Sequence, residues 1–290
     1  MKNNKLVQIS TTDGLFLHGY YVPSNDKKNV ILHIHGFEGN FYENNFVHVL
    51  ANEMENNNIG FLTVNTRGNG RDTDFNTIDG KIRRIGARYE LLEDAHLDIS
   101  AWIKFLIGEG GYQQIILQGH SLGTVKVVRY LTEGELKNKI SKIVLLCPFD
   151  KQGFMVKTGR DIKKLLKKAQ VKVDEGNGEE LVTPEFEEVG FSYKTFISWY
   201  GQDDLGRCFE FCNPDYDFPV LKRINIPTKI VVGSKDEYFY QTNPNNPEEA
   251  MQLLLKYIPT SAGRIIEGAI HSFRGYEEVM AKEVIEFVLK

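Results

Sequence analysis

Apolar and polar positions fall into two rhythms along the chain. Residues 5–11 and 15–22 alternate apolar and polar side chains on either side of Asp13-Gly14, a dipeptide suited to a tight reversal. That spacing predicts an antiparallel hairpin. Beyond it, short unbroken apolar runs recur at 30–35, 59–64, 115–117, 143–146 and 230–232, with a further short strand at 264–267. Such runs read as strands buried on both faces of a parallel sheet. Between two of them, the stretch 90–107 places Leu91, Leu92, Ala95, Ile99, Trp102, Ile103 and Leu106 along one helical stripe. Strands alternating with helices predict an α/β fold, a mostly parallel central sheet with right-handed crossovers.

The rhythm breaks across 151–221. Lys157, Arg160, Lys163, Lys164, Lys167, Lys168 and Lys172 form a basic run. Within it Ile162, Leu165, Leu166, Ala169 and Val173 keep helical spacing, so it reads as an amphipathic helix with its lysines in water rather than as a membrane anchor. The acidic, glycine-bearing stretch 174–180 follows. Ten aromatic residues then crowd into 33 positions: Phe186, Phe191, Tyr193, Phe196, Trp199, Tyr200, Phe209, Phe211, Tyr216 and Phe218. This composition marks 151–221 as an insertion between two parts of one core, 1–150 and 222–290.

Composition changes the picture only by exclusion. A formal net charge of −4 over 290 residues argues against a globally basic nucleic-acid binder. No apolar run approaches the ~18 residues needed to cross a bilayer. Met1-Lys2-Asn3-Asn4-Lys5 is basic, but strand-like alternation follows it instead of the apolar stretch of a signal peptide, so a cytoplasmic location is expected. Cys147, Cys208 and Cys212 are too few for a disulfide framework, and Cys208 with Cys212 too few for a structural zinc. Arg67-Gly68-Asn69-Gly70 lacks the third glycine of a dinucleotide fingerprint and reads as scaffold, with Arg67 open to contact with an anionic substrate.

Chemistry concentrates in Gly119-His120-Ser121-Leu122-Gly123, a G-x-S-x-G pattern. The strand 114–118 precedes it, and residues 124–131 after it have helical character. A strand-to-helix turn this sharp strains the serine backbone and leaves no room for bulky side chains at 119 and 123. It also aims the first amides of the helix at the reaction centre.

With these motifs the chain resembles the α/β-hydrolase superfamily, esterase- and lipase-like, over about 5–150 and 222–290. The resemblance implies the order nucleophile, acid, base. His271, in Gly268-Ala269-Ile270-His271, is the only histidine after Ser121 and takes the place of the base. The resemblance puts the acid at Asp236, just past the run 230–232. Asp150, at the end of the preceding strand, is the rival, because some members of the superfamily carry the acid there. His35-Gly36 begins the loop that would supply an oxyanion donor from the amide of Phe37, with that of Leu122 as the other. His33 and His35 point to one face of a strand, as in a metal site. No further ligand lies close in sequence, so no metal is expected and His33 reads as a core residue.

The resemblance also implies that 151–221 caps the site. Most of its aromatics would form cap core, and a few would line a pocket for an apolar or aromatic acyl group. The expected function is serine carboxylesterase-type hydrolysis of a small or medium ester, with no cofactor, a small-molecule ester as the only partner, no nucleic acid and no membrane span. A thioesterase, amidase or acyltransferase would use the same residues. A binding protein on a hydrolase scaffold is the reading from another class.

Overall fold

A computed structural model describes residues 4–182, 190–201, 205–213, 215–238 and 246–290. Phe186, one of the ten clustered aromatics, and the N-terminal residues 1–3 lie outside them. The opening hairpin is β1 (Lys5–Ser10) and β2 (Phe16–Val22), paired antiparallel. Then come β3 (Asn29–Ile34), α1 (Asn45–Asn56), β4 (Gly60–Val64) and a small hairpin of β5 (Asp74–Asn76) with β6 (Ile82–Arg84). The middle of the chain runs α2 (Ala95–Gly108), β7 (Gln114–His120), α3 (Leu122–Glu133) and β8 (Ile140–Leu146). The segment of unusual composition holds α4 (Lys151–Lys157), α5 (Ile162–Asp174) and α6 (Tyr193–Tyr200). The chain closes with β9 (Thr228–Gly233), α7 (Pro247–Tyr257), β10 (Ser261–Ile266) and α8 (Glu277–Leu289).

Eight strands form one sheet in the order β1-β2-β4-β3-β7-β8-β9-β10. Strand β2 runs antiparallel to both neighbours, and from β4 to β10 every pair is parallel. The apolar runs are unbroken because both faces are covered. Val30, Leu32 and Ile34 of β3 pack into the cluster that contains α2 and α3, while Ile31 packs into the cluster that contains α1 and α8. In a parallel sheet of this kind the loops at the carboxyl ends of the strands meet at one edge, where ligands bind.

Two local expectations are corrected by tertiary contacts. The stripe over 90–107 becomes α-helix only from Ala95, and Leu92–Asp94 forms a single 3-10 turn. The chain is held there from outside, because Glu90 is buried in an ion pair with Lys126 and the Leu92 amide donates to Ser198 Oγ at 2.8 Å. Arg67 does not face a substrate site. Its guanidinium is buried among three carboxylates, Asp98 at 2.8 Å, Asp13 at 3.1 Å and Asp94 at 3.1 Å. Those partners keep it charged and push its pKa above the usual arginine range despite burial. It ties the hairpin turn at Asp13 to α2.

Helix α5 is amphipathic, with Leu165 and Ala169 buried and Lys163, Lys164 and Lys167 exposed. Its Asp161 cap accepts from the Lys164 amide at 3.0 Å. All three cysteines are free. Among the described residues no helix is long and apolar enough to cross a membrane.

Candidate active site

Four loops at the carboxyl edge of the sheet converge. The first follows β7. Ser121 sits between the strand and α3 with φ +54° and ψ −124°, in the positive-φ half of the backbone map that L-residues seldom occupy. The turn is held by the Ser121 amide donating to Leu146 O at 2.9 Å and by the Thr124 amide donating to Ser121 O at 2.9 Å. It closes only with glycine on both sides. A Cβ at 119 would collide with the Gly123 carbonyl, and one at 123 with the Ile34 carbonyl and, at 2.8 Å, that of His35.

The second loop follows β3 and lies across the serine. A Cβ at Gly36 would stand 2.9 Å from Ser121 Cβ and 3.1 Å from His120 O. His35 shapes this loop from below. Its Nε2 accepts from the Thr66 amide at 3.1 Å, so Nδ1 carries the proton and donates to Gly36 O at 2.7 Å. Burial, then the nearby Lys126 charge, push the His35 pKa down to about 3, so the ring stays neutral. Lys126 in turn pairs with buried Glu90 and donates to Thr66 Oγ1 at 3.2 Å. Phe37 follows Gly36 and lines the same cavity as Ser121. Leu122 follows Ser121 as the first residue of α3, where an amide has no carbonyl four residues back in its own helix. Its side chain is buried in the core.

The third and fourth loops follow β9 and β10. They are laced together by the Lys235 amide donating to Ala269 O at 2.8 Å and the Gly268 amide donating to Ser234 Oγ at 2.7 Å. Asp236 is fully buried, and its Oδ1 accepts from His271 Nδ1 at 2.8 Å and from the Tyr238 amide at 2.9 Å. A carboxylate on Nδ1 fixes the tautomer and leaves Nε2 as the basic nitrogen. His271 lines the cavity together with Ser121.

Asp150 stands elsewhere. Its Oδ1 caps α4 by accepting from the Gly153 amide at 2.7 Å, and its Oδ2 accepts from the Cys212 amide at 3.0 Å. Burial raises its pKa to about 7 against those two hydrogen bonds. The structure therefore brings Asp236, and not Asp150, to His271. Among the described residues, neither strand histidine assembles a ligand set. His33 lies buried against Phe46, with Nδ1 at 2.8 Å from Gln118 Nε2, and His35 is committed to Gly36 and Thr66.

The cavity holds about 300 Å³. Phe191, Trp199 and Tyr200 from the aromatic cluster form part of its wall. Sequence reading missed Phe149, Phe154 and Tyr238, which add to the aromatic lining, and Arg160, which brings a cation to it. Phe149 and Tyr238 were marked only by lying just past strand ends at the site edge. Also unforeseen is Cys147, whose buried thiol lies beside Asp236; burial first, then that carboxylate, push its pKa well up.

The sheet order, the strained serine turn on the central strand and the convergence of loops at one edge define an α/β-hydrolase. Residues 25–205 match the family model described as serine aminopeptidase, S33, and the chain belongs to that family of α/β-hydrolases. No curated protein matches the chain. Solved structures resemble it over nearly its whole length. Est1E from Butyrivibrio proteoclasticus, determined with ferulic acid bound, has a TM-score of 0.64 at 17% identity, covering 98% of both chains. An esterase from Exiguobacterium antarcticum gives 0.61 at 18% identity, covering 98% of this chain and 99% of its own. The Pyrococcus furiosus esterase Pf2001 gives 0.59 at 16%, covering 99% and 92%. At these identities the likeness is one of fold.

Proposed function

We propose that the protein is a serine hydrolase that cleaves carboxylic esters of small or medium acids with apolar or aromatic acyl groups. The observation that carries this reading is the 2.8 Å bond between His271 Nδ1 and buried Asp236, on a histidine that lines one cavity with Ser121. His271 Nε2 takes the proton from Ser121 Oγ as that oxygen attacks the acyl carbon. The carbonyl oxygen becomes an oxyanion held by the amides of Phe37 and Leu122. Collapse breaks the ester bond, and His271 returns the proton to the leaving alkoxide. Water, deprotonated by His271, then clears the acyl-enzyme through a second oxyanion. Asp236 holds the imidazole in register and stabilises its cation throughout. In this reading 151–221 is a cap, with Phe191, Trp199 and Tyr200 contributing the aromatic wall above the serine, and the enzyme works in the cytoplasm.

Amide cleavage is the second reading, favoured by the description of the matched family. An aminopeptidase must hold a free α-ammonium, and among the described residues the cavity lining carries no carboxylate to do so. Assaying p-nitrophenyl esters of graded chain length and aryl acids beside acyl-CoA and aminoacyl anilides ranks the readings. The esters are expected to lead the anilides in kcat/KM by on the order of 100-fold or more. Anilides or thioesters in the lead overturn the ester assignment.

Gly36→Ala probes the loop over the nucleophile. The added Cβ forces Ser121 or the loop to shift, and kcat/KM on the best ester is expected to fall by about 100-fold. An unchanged value argues that this loop does not shape the reacting geometry.

A further inference from the structure

Position 120 is the first of the two variable residues of G-x-S-x-G, and in this chain it does more than fill space. His120 is buried, 5% exposed, and its ring packs on Phe46 at 4.9 Å and on His271 at 4.7 Å. Its Nε2 lies 2.9 Å from the backbone carbonyl of His271. A carbonyl only accepts, so Nε2 carries the ring proton and donates. We propose that His120 is a positioning residue for the reaction, a strut that fixes the loop of the base His271 to the residue next to the nucleophile Ser121. This rests on the reading of Ser121 and His271 as nucleophile and base.

The base needs a second anchor. Asp236 holds the His271 ring at Nδ1 and Tyr238 packs against it at 4.7 Å, but both contacts act on the ring and not on its backbone. The His271 amide reaches Glu237 Oε2 only at 3.3 Å, on the exposed side. The bond from His120 pins the carbonyl of the same residue. Because His120 and Ser121 are adjacent in the chain, the strut transmits the position of the elbow directly to the base loop. Catalytic groups must be held to within roughly 0.5 Å and 10–20° of their productive geometry, and supporting hydrogen bonds are the usual means.

A strut beside a base that becomes cationic must itself stay neutral, since two imidazolium rings so close would repel. Burial, then the neighbouring His271, push the His120 pKa down to about 3, so this ring remains an uncharged donor across the neutral range. Phenylalanine at 120 keeps the ring and loses the donor. Glutamine loses the ring but carries its amide nitrogen the same number of bonds from Cα as histidine Nε2, so it can keep the donor.

The test compares wild type, His120→Phe and His120→Gln on the best p-nitrophenyl ester, with melting temperatures. His120→Phe is expected to lose about 10- to 100-fold in kcat at nearly unchanged KM, with His120→Gln recovering most of the loss. Equal losses in both variants, tracking lowered melting temperatures, would assign His120 to packing and overturn the strut, as would full kcat in His120→Phe. Wild-type protein that turns over no ester counts against the ester reading. In that case the rate at which a fluorophosphonate labels Ser121 in the same three proteins decides on the strut, with slow labelling in His120→Phe alone supporting it.

Discussion

Replacing Ser121 with alanine is expected to lower kcat by roughly 10⁴- to 10⁶-fold on whichever ester the wild type prefers, with the melting temperature nearly unchanged. The oxygen removed is the atom that the proposed mechanism makes covalent, so no acyl-enzyme can form. The residual rate would come from the oxyanion amides acting on bound substrate with water as nucleophile. Stability is spared because the hydroxyl does not hold the turn together. The turn rests on the Ser121 amide bonded to Leu146 O, the Thr124 amide bonded to Ser121 O, and the close approaches at Gly119 and Gly123. Alanine tolerates φ +54° about as poorly as serine does, so the backbone strain is common to both proteins. Steady-state kinetics with a melting curve checks both parts. Turnover near the wild-type level in Ser121→Ala would move the reaction to another nucleophile.

Asp236→Asn carries the second large effect, a fall in kcat of about 10⁴-fold. The amide has nearly the size of the carboxylate but lacks its charge, so it no longer offsets the imidazolium that forms when His271 takes a proton. It also offers one acceptor oxygen where the Tyr238 amide and His271 Nδ1 now share Oδ1. If the side-chain NH₂ turns toward His271, the ring is driven into the wrong tautomer and Nε2 ceases to be a base. The paired variant, Asp150→Asn, is expected to stay within a few-fold of wild type. Asparagine can keep the cap to the Gly153 amide but sets its NH₂ against the Cys212 amide, so the melting temperature is expected to fall while kcat is spared, because Asp150 does not touch His271. Comparing kcat for the two variants separates the rival acids: a large loss at 150 and a small one at 236 would reverse the assignment.

How much of this was legible in sequence depends on where the determining contacts lie. The hairpin at Asp13-Gly14 and the buried strands were readable because their signals are local, a turn dipeptide and unbroken apolar runs. The three-residue strands β5 and β6 were not, since Ile82 is 66% exposed and neither strand has an apolar face that repeats. Asp150 and Asp236 look alike in sequence, each just past a strand end. They are separated by the Cys212 amide, which reaches Asp150 from 62 residues away, and by His271, which reaches Asp236 from 35 residues away. Arg67 was open to misreading for the same reason, because Asp98 lies 31 residues along the chain. The clustered aromatics announced an unusual segment but not the cavity wall. Trp199 and Phe191 line it, Phe196 is buried in the core, and more than half of the described aromatic lining comes from residues outside the cluster, such as Phe149 and Tyr238.

The most direct test of the account is covalent. Treating the native protein with a fluorophosphonate and mapping the adduct by peptide mass spectrometry asks whether position 121 holds an activated alcohol. A single stoichiometric adduct on Ser121, formed far more slowly in His271→Ala and Asp236→Asn, is the predicted result. An unmodified Ser121, or labelling that proceeds at the same rate without His271 and Asp236, would contradict it.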